Sequence, residues 1–223
     1  MTISPSLFKF LKDLKKNNNR EWFNTNKARY EVHQSFMKNF VAALQKEMEK
    51  QDLIEKAKLY RIYRDVRFSK NKQPYKNNFG GYLRRATAQR RGGYYFHIEP
   101  NNSIVAGGFW RPNSADLKRI REEIAANDTE LRNIINHSTF QKTFGSLQGE
   151  EVKTAPRGYN KEHPSIDLLR KKQFVVSRTF TDKEVTQDTF LKETVQIFQH
   201  MRPFFDYMSD ILTTDSNGLP LNL

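Results

Sequence analysis

Residues 58–91 carry eleven Lys or Arg side chains and one acidic side chain, Asp65, for a net charge of +10. The full 223-residue chain has 38 basic and 25 acidic residues, net +13, so most of the excess lies in this one segment. Mutual repulsion makes such a cluster costly to fold unless an anion offsets it or the charges spread over a solvated face. The segment is interleaved with Tyr60, Ile62, Tyr63, Val66, Phe68, Tyr75, Phe79, Tyr82 and Leu83, which a loose basic tail would not be. These apolar residues have to fold inward, so the cations project from an ordered frame. The segment therefore predicts an anion-binding surface.

The rest of the chain supplies that frame. Ser4-Pro5 reads as a helix start, and Leu7, Phe8, Phe10, Leu11 and Leu14 follow as one apolar stripe that stops at residues 17–19. Residues 20–51 read as helix, with a break near 24–26. Residues 58–83 mix apolar and basic types without helical period, giving a short strand or turn, a basic loop at 69–76 and a strand near 79–85. Residues 94–99 alternate, with Tyr94, Phe96 and Ile98 on one face and Tyr95, His97 and Glu99 on the other. A turn at 100–102 returns the chain as a second strand over 103–110, where Gly107-Gly108 marks a bulge or a close approach.

Helical patterns follow from Asn113 or Ser114 and again from Leu131, then a short packed segment around Phe140 and Phe144. Residues 152–157 read as extended before Pro156, 164–171 as a short helix, 174–180 as a β-branched strand and 186–212 as a last helix. The reading is α+β: a single domain over residues 1–212, with N-terminal and C-terminal helices packed on a small, mostly antiparallel sheet, and a loosely held tail over 213–223. No run of about 18 apolar residues is present, so no membrane helix is expected. Neither a secretory signal pattern nor any cysteine occurs, and the sequence predicts a cytoplasmic protein without disulfides or thiolate chemistry.

Candidate site residues fall in three segments. In residues 61–76, Arg61, Arg64, Arg67, Lys72 and Lys76 are candidates to converge on one oxyanion, with Tyr75 hydrogen-bonding or stacking. Asp65, between Arg64 and Arg67, is a candidate base, and its plainer alternative is a salt bridge. On the second segment, His97 is an acid–base candidate beside Tyr95, and Trp110 is a candidate to stack on a ligand. The H-x-E spacing of His97 and Glu99 can begin a metal site but lacks a third ligand, so no metal is assigned. The third segment, 155–172, presents Arg157 in a Pro-Arg-Gly turn and His163 at a helix entry. No phosphate loop, dinucleotide fingerprint, zinc-protease motif or serine elbow occurs, and no cofactor is assigned.

The strings RIYRDVRFSKNKQPYKNNFGGYL, YYFHIEP, GGFW and PRGYNKEHPSIDLLRKK together resemble the DUF2461 family of conserved hypothetical proteins. Arg61, Arg64, Asp65, Arg67, Phe68, Ser69, Lys70, Lys72, Pro74, Tyr75 and Lys76 all match that family's basic string, and the NNNREWF start and last helix fit as well. The resemblance spans most of the chain and implies one α+β domain. It carries no activity, cofactor or catalytic assignment. From the residues themselves, the expected partner is an anionic small molecule bearing phosphate or carboxylate, bound with or without catalysis. The alternative is a non-catalytic nucleic-acid-binding module on the same basic surface, and a protein-interaction module is a third reading.

Overall fold

The Ser4 hydroxyl accepts a hydrogen bond from the Ser6 N–H, and Pro5 fills the first helical position, where an N–H would have no partner. Helix α1 (Pro5–Lys16) then buries Leu7, Phe8, Phe10, Leu11 and Leu14, the stripe expected from the sequence. Asn19 caps α2 (Arg20–Thr25), and Asn26 separates it from α3 (Lys27–Met48). The break arises because Asn26 leaves helical geometry while its side-chain amide donates to the Trp22 carbonyl at 2.9 Å. The structure, a computed structural model, describes residues 1–215 and 218–221.

Five strands follow one another across an antiparallel sheet in chain order: β1 (Ile54–Leu59), β2 (Phe79–Arg85), β3 (Gly93–Ile98), β4 (Ser103–Phe109) and β5 (Phe174–Phe180). β1 starts earlier than the sequence suggests. Its Ile-Glu-Lys-Ala opening has no strand signature, and packing against α3 overrides its weak local preference. β3 alternates as expected, with Tyr94, Phe96 and Ile98 buried and Tyr95, His97 and Glu99 half-buried on the other face. Gly108 in β4 has φ +135°, and a Cβ there would meet the Phe174 carbonyl and come within 2.8 Å of the Val175 Cα. The expected close approach at this glycine is therefore made by the backbone of β5.

After β4 come α4 (Ser114–Ala126), capped by Asn113, then α5 (Thr129–Asn136), α6 (Ser138–Phe144) and α7 (Ile166–Leu169). Residues 152–157 form no strand. Their neighbour Glu151 makes one isolated bridge to Lys171, and the Val152 N–H donates to the Arg170 carbonyl. A capping box at Thr181 and Glu184 starts α8 (Asp182–Val185), a helix the sequence reading does not include, and the last helix, α9 (Phe190–Thr213), begins four residues later than the expected residue 186. The expected loose tail falls partly on residues 216, 217, 222 and 223, outside the described residues. Of the remainder, Thr214 pairs with Pro220.

The contacts divide into two compact units, the first made of Met1–Arg84, Tyr95–Val105 and Thr179–Gln196. Its core is aromatic: Tyr30 stacks on Phe79, while Phe40 meets Phe96 edge-on at 5.6 Å and Phe190 at 5.9 Å. The second unit comprises Arg85–Tyr94, Ala106–Arg178 and Ile197–Leu223. There α9 brings Phe198 and Phe205 to Tyr94, and Phe204 and Phe205 to Phe109. Among the described residues, no helix is long and apolar enough to cross a membrane.

Candidate functional site

The basic segment is held by a short antiparallel pairing in the first unit. Tyr63 lies opposite Tyr75, the Arg64 N–H donates to the Pro74 carbonyl, and the Lys76 N–H donates to the Ile62 carbonyl, both at 2.8 Å. Tyr75 anchors this pairing. Its ring stacks on Phe23 at 3.9 Å and is only 4% exposed, so it serves packing and turns no face to a ligand. The loop between the paired stretches carries the exposed Arg67, Lys70 and Lys72.

Two of the five expected anion ligands are engaged inside that loop. Arg67 makes a two-pronged contact with Asp65, Nε to Oδ1 at 3.0 Å and Nη2 to Oδ2 at 2.6 Å. The Arg67 guanidinium, its backbone N–H and then Arg61 hold the Asp65 carboxyl below the usual carboxylate range. Asp65 is thus an ionised salt-bridge partner, the plainer of its two sequence readings, and is poorly suited to act as a base near neutral pH. Lys72 Nζ donates to the Val66 carbonyl at 3.1 Å, closing the loop onto itself. Phe68 stands at the loop tip, 97% exposed, with the Arg67 guanidinium 6.0 Å from its ring.

Of the other three cations, Lys76 is placed against an aromatic ring. Lys76 Nζ lies 5.0 Å from the centroid of the Tyr60 ring. Burial, and then the neighbouring Arg61 and Arg64, push its ammonium below the ordinary lysine range. Arg64 donates to the Ser69 hydroxyl at 3.4 Å. Among the described residues, Arg61, Arg64 and Lys76 form no ion pair with a carboxylate.

Next to Tyr60, on the half-buried face of β3, three side chains join in series. The Tyr95 hydroxyl is 3.1 Å from His97 Nδ1, and His97 Nε2 is 2.9 Å from Glu99 Oε2. Asn77 donates to the other Glu99 oxygen, and Asn102 donates to Oε2 at 3.2 Å. Tyr60 spans this series and the cations, with its ring 6.4 Å from that of Tyr95 and 5.4 Å from that of Tyr82. Burial, followed by Tyr60 and Glu99, raises the Tyr95 phenol pKa. Sequence reasoning named Tyr95 and His97 but missed Tyr60 and Asn77 as members, and it weighed Glu99 only as a metal ligand. The period-two spacing of Tyr95, His97 and Glu99 was the signal available.

Trp110, Arg157 and His163 belong to the second unit. Trp110 follows β4 and is exposed, and Arg157 is exposed in the turn before Gly158. His163 Nδ1 accepts from the Ser165 N–H at 3.1 Å, a local contact in the turn before α7. That unit also contains a cavity of about 530 Å³ lined by Arg119, Glu122, Glu123, Glu130, Tyr207 and Asp210, none of them an expected site residue. Arg119 is tied to the end of α9, donating to the Ile211 carbonyl at 3.0 Å.

The family model for a conserved hypothetical protein, DUF2461, matches residues 6–207, and the chain belongs to that family. No curated protein and no solved structure matches the chain.

Proposed function

We propose that Arg61, Arg64 and Lys76 form a binding site for a small ligand bearing phosphate or carboxylate. One observation carries this reading: three neighbouring cations lack a carboxylate partner although Lys76 is half-buried against Tyr60. Neighbouring positive charges repel, and a bound oxyanion offsets that cost through charge-assisted hydrogen bonds. The guanidinium groups supply two-pronged contacts and the ammonium a point charge. The Tyr95 series stands beside the site and offers proton transfer, so catalysis belongs to the same reading. A cytoplasmic setting is also part of the proposal, since a fold without cysteine needs no oxidising compartment.

Calorimetric titration with inorganic pyrophosphate and, separately, citrate tests it at about 150 mM salt. Saturable binding of either with a dissociation constant of roughly 10 μM to 1 mM is the expected result. Absence of saturation by both at ten times the upper limit would overturn the reading.

The exposed Phe68 favours a second reading, in which the loop stacks on bases of a single-stranded nucleic acid while Arg61, Arg64 and Lys70 contact phosphates. Fluorescence anisotropy with labelled oligonucleotides over a salt series separates the two. Micromolar binding at about 150 mM salt with a slope implying five or more phosphates, weakened in Phe68→Ala, would favour nucleic acid.

A further inference from the structure

The tautomer of His97 follows from its neighbours. Nε2 faces a Glu99 carboxylate oxygen, which accepts only, so Nε2 carries the proton. In the neutral imidazole Nδ1 is then the acceptor, and the Tyr95 O–H donates to it at 3.1 Å. With its proton committed to His97, Tyr95 has only its oxygen lone pairs to present to a ligand. Gly80 lets the Tyr95 oxygen approach closely, since a Cβ there would lie 3.3 Å from it. Glu99 cannot rotate away, because Asn77 and Asn102 both donate to it.

This arrangement has the parts of an activated nucleophile: a hydroxyl, a base within hydrogen-bond reach and a group orienting the base. We propose that Tyr95 is a nucleophile for phosphoryl transfer, with His97 as its general base and Glu99 as a positioning residue. The proposal rests on the anion-binding reading of Arg61, Arg64 and Lys76, which would hold the phosphate-bearing ligand across Tyr60. The Tyr95 oxygen forms a bond to phosphorus as the bond from phosphorus to the leaving oxygen breaks. The phenol proton passes to His97 Nδ1 and then to the departing oxygen. Water then gives a proton to His97 and bonds to phosphorus as the bond from phosphorus to the Tyr95 oxygen breaks. That proton returns from His97 to the Tyr95 oxygen, so phosphate leaves and the phenol is restored. The raised phenol pKa keeps Tyr95 protonated at rest, so the reaction depends on the base and does not run from a standing phenolate.

Two probes with the same electrophile test this: 4-(fluorosulfonyl)benzoate, which carries a carboxylate, and 4-(fluorosulfonyl)benzamide, which does not. In each, the tyrosine oxygen bonds to sulfur, fluoride leaves and the proton goes to the base. Labelling rates at each tyrosine are read by peptide mass spectrometry. Tyr95 should label at least tenfold faster than the more exposed Tyr63 with either probe, and the carboxylate probe should be faster still. His97→Gln should lower Tyr95 labelling at least tenfold without changing Tyr63. Glu99→Gln provides a second variant should His97→Gln fail to fold. It should slow labelling near neutral pH and move the alkaline arm of the rate profile to lower pH, since Glu99 helps raise the phenol pKa.

Tyr95 labelling no faster than Tyr63, or unchanged in both variants, would overturn the nucleophile. Fast Tyr95 labelling with equal rates for the two probes, and no pyrophosphate binding, would overturn the anion site and with it the phosphoryl substrate, while supporting the activated tyrosine. Pyrophosphate binding with slow Tyr95 labelling would keep the anion site and overturn the chemistry.

Discussion

Asn18 occupies both backbone polar groups of Tyr75: its Nδ2 donates to the Tyr75 carbonyl at 3.0 Å, and its Oδ1 accepts from the Tyr75 N–H at 3.1 Å. One side chain from the turn after α1 thus does for the basic segment what a neighbouring strand would do. Asn18→Ala would leave both groups of a buried residue without these partners. We expect a loss of about 1–3 kcal/mol in denaturant unfolding, with faster amide exchange over residues 62–76 than elsewhere. Unchanged exchange there would show that the Phe23–Tyr75 stack alone holds the segment.

The cations of this segment should divide by function. Arg67 is already matched by Asp65, whereas Arg61 and Lys76 have no carboxylate partner. Arg61→Ala and Lys76→Ala should each weaken pyrophosphate binding about tenfold, the loss of one charge-assisted contact, and Arg67→Ala by less than about threefold. Titration calorimetry of the three variants reads this directly. Equal losses in all three would indicate a diffuse charge effect and no defined site.

Arg85 has its guanidinium buried in the second unit, where it donates to Asp206, to the Arg91 carbonyl at 3.0 Å and to the Ser209 hydroxyl, and lies against the Phe205 ring. Asp206→Ala removes one carboxylate partner of this buried cation. Since Asp206 is itself partly exposed, water compensates in part, and we expect a loss of about 1.5–3 kcal/mol. Thermal unfolding of the variant checks the figure.

Asp167 accepts both prongs of Arg132, at 2.7 and 2.8 Å, and this contact holds its carboxyl below the ordinary range. A depressed folded-state pKa means that the contribution is complete above the unfolded carboxylate value, near pH 4. It is lost as the pH falls through the lower folded value. Asp167→Asn should therefore be less stable than the native chain at pH 7 and approach it near pH 2–3. Because Asp167 is largely exposed, the difference at pH 7 should be only about 0.5–1 kcal/mol, measured by denaturant unfolding at both pH values.

Gly108→Ala combines a left-handed backbone with a collision against the backbone of β5, which cannot move aside cheaply. A loss of at least about 3 kcal/mol is expected. Gly145 also has positive φ, +71°, with ψ −72°, but a Cβ there meets nothing within 4 Å, so Gly145→Ala should cost only the backbone strain, about 1–3 kcal/mol. Comparing their melting temperatures isolates the steric part.

Features set by neighbouring residues were legible in the chain. The Ser4-Pro5 cap, the stripe of α1, the alternation of β3 and the span of β5 follow from capping chemistry and side-chain period, which act over a few residues. The same locality put Tyr95, His97 and Glu99 on one face and the cations in one segment. What lay beyond reach was the partner of each group. Sequence placed Arg61, Arg64, Arg67, Lys72 and Lys76 together, yet Arg67 and Lys72 turn into their own loop, Arg64 reaches Ser69, and Lys76 lies over Tyr60. Tyr75 looked like a ligand contact until Phe23 and Asn18 claimed its ring and backbone. Glu99 gained Asn77 as a partner only when β2 paired with β3. The sequence by itself determined where charge, period and caps fall, because those act through adjacent residues. Only the tertiary structure decided which charges are matched and which stay open, because that depends on strand register and on contacts between residues distant along the chain.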